Sequence, residues 1–384
     1  MKRFLRFPCL AFGFMAATCG AQADIVVGFV SSLSGNGSSI GIPYQKGIAA
    51  AFAYKSEIAG QKIRLIQLDD GSDPSMATRN ARKLVEEEKV DVLIGSATTP
   101  ATIAMTSVAA ELKVPMIAVS PLPLRPAAGT EQWSVTVPQP AALLVKIAAD
   151  RVKRDGMKNV GFIGFSDAWG DLVYSGAKAA EERGDFKVVT NERYTRTDTS
   201  VTGQILKVLA AKPDAVLDGG SGTQGALPLL ALAERNYKGG IYGTASLVNA
   251  DFIRVGGKAA EGIQVSTGPI IVADQLPDDH FAKKLGLAFR DIYLKTNNVP
   301  TTDGFSAYSF DAWIVLADAA TRALKTAQPG TQEFRTALRD AILSTRDVGG
   351  VHAIYNFKPG ENYGVDERAL VIVRLVNGAW KYAP

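Results

Sequence analysis

The stretch Gln61–Thr99, QKIRLIQLDDGSDPSMATRNARKLVEEEKVDVLIGSATT, decides the fold. Ile63, Leu65, Ile66 and Leu68 form a short apolar run stopped by Asp69-Asp70-Gly71, which reads as a strand ending in a turn. Asp73 stands at a helix N-cap, and Pro74 at the first helical position, where its missing N–H costs nothing. Ala77, Ala81, Leu84 and Val85 follow at i, i+4, i+7 and i+8 and give one apolar helix face. Val92, Leu93 and Ile94 make a second buried strand, and Gly95-Ser96-Ala97-Thr98-Thr99-Pro100 opens the next helix. Ligands of open α/β sheets bind beyond the carboxyl ends of such strands. The hydroxyl-rich loop is therefore a candidate seat for a small anion.

Outward from this block, short apolar runs alternate with helical patterns, which argues for α/β architecture with parallel sheets. In the first half, strands are expected near Ile25–Val30, Ile63–Leu68, Val92–Ile94 and Met116–Val119, and helices near Tyr44–Ala59, Pro74–Glu88 and Pro100–Leu112. After Pro138 a second series repeats the plan. It has a helix near Ala141–Arg154, a strand at Val160–Phe165, a helix near Gly170–Arg183 and a strand at Val188–Val189. Thr202–Ala211 and Ala226–Arg235 read as helices on either side of a strand at Ala215–Leu217. The last third adds helices near Asp279–Thr296, Ser306–Ala327 and Gln332–Leu343, then strands near Val351–Tyr355 and Leu370–Leu375.

The N-terminus reads as a secretory signal. Lys2, Arg3 and Arg6 precede an apolar core from Leu10 to Ala17, and Ala21-Gln22-Ala23 is an A-x-A site that predicts cleavage after Ala23. The apolar run is too short to span a bilayer. Both cysteines, Cys9 and Cys19, fall inside the signal, so residues 24–384 have neither thiol catalysis nor disulfides nor thiolate metal sites. Lys2, Arg3 and Arg6 are three of 42 basic residues, leaving 39 against 38 acidic ones. That near-neutral balance carries no basic stripe for nucleic acid.

Gly35-Asn36-Gly37-Ser38-Ser39-Ile40-Gly41 superficially matches a dinucleotide fingerprint, but its spacing is one residue too long. There is no G-x-S-x-G elbow, and the two histidines, His280 and His352, read as exposed or structural. Asp69-Asp70 and Asp278-Asp279 read as turn and cap residues before they read as acid–base pairs. No cofactor or metal is expected, and nothing in the sequence asks for an enzyme.

The run Asp69-Asp70-Gly71-Ser72-Asp73-Pro74 through Val85, with Gly95 and its Ser/Thr loop, resembles the periplasmic solute-binding proteins of ABC importers. The match is to their branched-chain-amino-acid (Leu/Ile/Val) branch. Further matching phrases are Leu33-Ser34-Gly35, Val114-Pro115 with Ser120-Pro121, Arg254-Val255-Gly256-Gly257 with Glu261-Gly262, and Ser309-Phe310-Asp311-Ala312. The resemblance implies a type I periplasmic binding protein: two doubly wound lobes with parallel sheets joined by a three-crossover hinge. The crossings would lie near Val137-Pro138, Gly268-Pro269 and Val348-Gly349-Gly350. On that plan residues 24–138 with 270–349 form one lobe, and residues 139–269 with 350–384 the other. It also implies a monomer that hands its ligand to a membrane ABC permease.

The ligand would sit between the lobes. Lobe one offers Ile40, Ser96, Ala97, Thr98, Thr99, Ser120, Pro121 and Leu122, and lobe two Trp169, Ser221 and Ala245, with Phe305 as a further wall. Hydroxyls and helix N-terminal amides can hold a carboxylate without a basic side chain. Trp169 falls where the family usually lays an aromatic ring over the ligand. Family members that hold amino acids pin the ammonium with side chains that align here with Leu124 and Ala245, neither able to accept a hydrogen bond. The expected ligand is therefore a small organic acid, aromatic or aliphatic, without an α-amino group. Branched-chain or other amino acids, a sensory binding module and an exported α/β enzyme are the alternatives.

Overall fold

A computed structural model describes residues 24–301 and 303–384; the signal-peptide reading lies outside the described residues. Among these, no helix is long and apolar enough to cross a membrane.

Two mostly parallel sheets organise the chain. The first has the strand order Glu57–Ile58, Gln61–Asp69, Ile25–Ser31, Val92–Gly95, Met116–Ala118, Ser134–Thr136. All its pairings are parallel except the short Glu57–Ile58 edge. The second has the order Ala379–Tyr382, Val371–Val376, Gln264–Thr267, Gly240–Thr244, Ala215–Gly219, Asn159–Phe165, Lys187–Tyr194. Its two C-terminal strands are antiparallel additions. Leaving those and the Glu57–Ile58 edge aside, each sheet places its strands in the sequence second, first, third, fourth, fifth. Both therefore reverse direction between the first and third strands, the point where doubly wound folds open a crevice.

The elements form where local chemistry asks for them. Asp73 accepts the Met76 amide at 2.7 Å and starts the helix Pro74–Glu86, whose buried face is Ala77, Ala81, Leu84 and Val85. Asp69 and Asp70 do serve as turn residues: Asp69 accepts the amides of Leu33 and Gly71 at 2.8 Å, and Asp70 accepts the Ser72 amide at 2.9 Å. The helix expected from Tyr44 begins earlier, at Ser38, and runs through Pro43 to Tyr54. Proline has no N–H for the carbonyl four residues back, which is Ser39. That carbonyl instead accepts Asn249 Nδ2 from the second lobe at 3.3 Å. Ser39 Oγ also accepts the Thr223 amide at 3.3 Å, so the lobes touch each other directly. Gly222, at φ +58°, allows this approach, since a Cβ there would lie 2.5 Å from Ser39 Oγ.

The helix Phe305–Ala323 packs its buried length against Ser38–Tyr54, and Gly47 permits the contact because a Cβ would meet the Ser306 carbonyl at 2.0 Å. Residues 137 and 351–355 meet beside it. Asp311 accepts the Val351 and His352 amides at 2.7 and 2.9 Å and the Tyr355 hydroxyl at 2.7 Å, and Tyr355 Oη also lies 3.3 Å from the Val137 carbonyl. The His352 ring stacks on Tyr308 and touches the Gly304 carbonyl through Nε2 at 2.9 Å. The segment around Tyr363 bridges Thr136 and leans on the first sheet before the chain enters the second sheet at Val371.

Candidate functional site

The carboxyl ends of the two sheets face one another across a cavity. Ten of the seventeen described wall residues follow closely on a strand. Ala97, Thr98 and Thr99 follow Val92–Gly95, and Ser120 and Pro121 follow Met116–Ala118. Trp169 follows Asn159–Phe165, Arg196 follows Lys187–Tyr194, Ser221 follows Ala215–Gly219, and Ala245 with Ser246 follows Gly240–Thr244. Ile40, Tyr44, Phe305 and Tyr308 close the cavity from the two packed helices, with Pro138, Gln139 and Leu144 behind them.

Ten of the twelve residues expected at the site line this cavity: Ile40, Ala97, Thr98, Thr99, Ser120, Pro121, Trp169, Ser221, Ala245 and Phe305. Ser96 and Leu122 do not. Ser96 is fully buried, its hydroxyl donating to Asp70 Oδ2, while its amide reaches Thr102 Oγ1 at 3.1 Å; it fixes the loop and does not line this cavity. Leu122 joins the apolar cluster under Trp133 and lines a separate cavity on the first lobe. Its amide and carbonyl are both tied to the Tyr363 hydroxyl, at 2.9 and 2.6 Å. Leu124, aligned with the ammonium position, is 56% exposed and lies off the cavity. The Pro-rich turn after Ser120 carries it outward.

On the first lobe, Thr98 is the N-cap of the helix Thr99–Glu111, its hydroxyl accepting the Ala101 amide at a long 3.4 Å. Thr99 Oγ1 and Ser120 Oγ stand 3.2 Å apart. Thr136 holds Ser120 from behind through its carbonyl, at 2.9 Å. Two hydroxyls thus converge beside the Thr99 amide, at the partial positive charge of a helix N-terminus. This corner can receive a carboxylate.

On the second lobe, Asp167 caps the helix Ala168–Glu182 through the Trp169 and Gly170 amides at 3.0 and 3.2 Å. Trp169 is only 4% exposed, and its indole N–H donates to the Gly220 carbonyl at 3.1 Å, which also accepts Ser246 Oγ at 2.8 Å. The ring is part of the second lobe's core as well as a cavity wall. Trp169→Ala should therefore cost about 3–5 kcal/mol of stability. Trp169→Phe is the cleaner probe of ligand contact: we expect a weaker ligand affinity with a small change in the unliganded melting point, both read by calorimetry.

Sequence reading missed Tyr44, Pro138, Gln139, Leu144, Arg196, Ser246 and Tyr308. Arg196 had a usable signal. It stands just past the carboxyl end of Lys187–Tyr194, but reading that strand as only Val188–Val189 moved its end away from the arginine. Ser246 lay next to Ala245. The two tyrosines are placed by helix packing, Tyr44 edge-on to Phe305 at 5.4 Å and Tyr308 donating to Gln139 Oε1 at 2.5 Å. Burial keeps both phenols neutral, pushing them well above the ordinary tyrosine range.

No Asp or Glu is among the described residues that line the cavity. Asp167 is occupied by two helix amides and by Arg196, and Asp218 lies fully buried outside the wall, its Oδ1 accepting the Gly220 amide at 2.7 Å. With nothing but the protein around it, burial pushes Asp218 up to about 8. The one charged side chain in the wall is the Arg196 guanidinium.

A two-lobed fold with its cavity at paired strand ends is the architecture of a ligand-binding receptor, and relatives agree. The family model described as "Periplasmic binding protein" matches residues 24–377, and the chain belongs to that family. It is similar to an extracellular ligand-binding receptor from Rhodopseudomonas palustris HaA2, 41% identical over 94% of this chain and 100% of that one, with a TM-score of 0.90. It also resembles the Leu/Ile/Val-binding protein homolog 3 of Brucella melitensis, 26% identical over 64% of this chain and 69% of that protein. A solute-binding protein of an R. palustris ABC transporter, solved with benzoate, shares the fold at 20% identity over 94% of this chain and 95% of that one, with a TM-score of 0.75. The expected type I periplasmic binding protein fold is therefore borne out.

Proposed function

We propose that this chain is the periplasmic, ligand-capturing component of an ABC importer, and that it closes two lobes around a small organic carboxylate. Residues 24–138 with 270–349 and residues 139–269 with 350–384 act as the lobes, with the stretch around Tyr363 leaning on the first. The signal at residues 1–23 exports it. The role is binding and release, with no catalysis, and the working unit is a monomer that docks a membrane permease.

One observation carries the choice of ligand: among the described residues the wall offers hydroxyls, a helix N-terminus and a guanidinium but no carboxylate. A buried ammonium without a counter-charge is costly, several kcal/mol even after relaxation. The apolar walls of Ile40, Leu144, Trp169 and Phe305 suit an aromatic or aliphatic body. One relative is solved with benzoate and another is named for Leu/Ile/Val, so the fold itself leaves the ligand to these side chains. The second reading, an amino acid, is favoured by that latter relative's name.

A thermal-unfolding screen of the exported protein against aromatic acids, short aliphatic acids and amino acids tests this. A ligand far above its Kd should add about 3–4 kcal/mol to stability. Largest shifts with leucine, isoleucine or valine would overturn the organic-acid reading. Uptake of the best ligand into vesicles holding the cognate permease separates an importer component from a sensory module.

A further inference from the structure

We propose that Arg196 reads a second oxygen of the ligand, at the end remote from its carboxylate, and so restricts the ligand class to carboxylates bearing a far hydrogen-bond acceptor. This rests on the carboxylate reading above. Arg196 Nε donates to Asp167 Oδ2 at 2.7 Å. Asp167 is itself held by the two amides it caps. The guanidinium lies 4.2 Å over the Phe165 ring, and the side chain is only 17% exposed. One N–H and one face are thus fixed by the protein, and the orientation of the group is set before any ligand arrives. Among the described residues no acceptor meets either terminal nitrogen, which leaves four of the five N–H donors open.

Arg196 is part of the wall of a largely apolar cavity. When the lobes close on a ligand, these donors lose water, and donors without a new acceptor disfavour the closed state. Asp167 already balances the positive charge. The requirement is therefore for an acceptor oxygen more than for a second negative charge, and an anion here would also face the Asp167 carboxylate. The ligand's own carboxylate fits better at the Thr99–Ser120 corner on the opposite lobe, where two hydroxyls meet a helix N-terminus and, among the described residues, no acid lines the wall. A hydroxyl or carbonyl oxygen at the far end satisfies Arg196.

The test is isothermal titration of the exported protein with matched acids differing only in that oxygen: benzoate and 4-hydroxybenzoate, 3-phenylpropanoate and 3-(4-hydroxyphenyl)propanoate, hexanoate and 6-hydroxyhexanoate. In the wild type the oxygenated member of at least one pair should bind roughly 10- to 100-fold tighter, the range of a hydrogen bond to a charged group. Arg196→Gln should bring that ratio to near unity, and Arg196→Lys should keep part of it. A wild type that binds these acids without preference for the oxygen overturns the proposal, whether or not the variants fold. Equal weakening of both members by Arg196→Gln overturns it too, and puts the carboxylate itself on Arg196. If none of the acids binds, the carboxylate reading fails, and this inference with it.

Discussion

Replacing Asp311 by alanine is expected to lower the free energy of unfolding by about 4 kcal/mol at pH 7, among the largest effects of any single substitution away from the cavity. The carboxylate sits fully buried on the helix Phe305–Ala323 and takes two amides and a phenol from the returning segment, Val351, His352 and Tyr355. Gly350 lets the backbone come this close, since a Cβ there would lie 2.5 Å from Asp311 Oδ1. Alanine would leave two buried amides without an acceptor and the Tyr355 hydroxyl with only the Val137 carbonyl at 3.3 Å, each lost acceptor costing about 1–3 kcal/mol. Asp311→Asn keeps one acceptor oxygen and should lose roughly half as much. Denaturant midpoints of the three proteins decide it; a midpoint for the alanine variant within experimental error of wild type would mean that these donors find other partners. The ligand-induced thermal shift should survive in the asparagine variant, because Asp311 lies outside the cavity wall.

The same residue illustrates what sequence could and could not reveal. Ser309-Phe310-Asp311-Ala312 was legible as a family phrase, but nothing in its spacing said that Asp311 faces residues 40 positions later. Information local to the chain was read well. The Asp73 cap, the Pro74 start and the apolar face of that helix stand as expected, and so do the helices Ala141–Arg154 and Gln332–Leu343. Strand-end logic then found most of the wall, because a doubly wound sheet delivers its loops to one edge. It failed where strand length was misread, at Arg196, and where a hydroxyl was claimed by a buried neighbour, at Ser96. Leu122 and Leu124 were misplaced for another reason. Side-chain direction in the irregular turn after Ser120 is set by Tyr363, 241 residues away, and no local pattern carries that. The start of the helix at Ser38 was hidden in the same way, since Pro43 is tolerated there only with a donor from the other lobe.

Asp218→Asn should stabilise the protein at alkaline pH, by on the order of 4 kcal/mol at pH 9, and hardly at all near pH 4. Asp218 ends the strand Ala215–Gly219, fully buried, with the Gly220 amide on Oδ1 and no partner on Oδ2 among the described residues. Burial raises it to about 8, against an unfolded value near 3.9. Between those values the native chain holds a proton that the unfolded chain has released. The associated stability is thus complete below about pH 4 and is lost as pH rises through the folded value. Asparagine accepts the same amide and never ionises, so the gap between variant and wild type should widen steadily from pH 5 to 9. Asp311, raised to about 7, adds a slope of the same sign in both proteins. His352, lowered to about 4 by burial, adds the opposite one: its stability is present above about pH 6.5 and lost as pH falls through 4. Both terms cancel in the difference, which denaturant melts across pH can measure directly. The outcome also bears on the ligand. A protonated Asp218 would leave the cavity's surroundings without a free negative charge, in keeping with the proposed organic-acid ligand. Stability curves that run parallel from pH 5 to 9 would mean an ionised Asp218 beside Gly220, and a counter-charge for an amino acid would be restored.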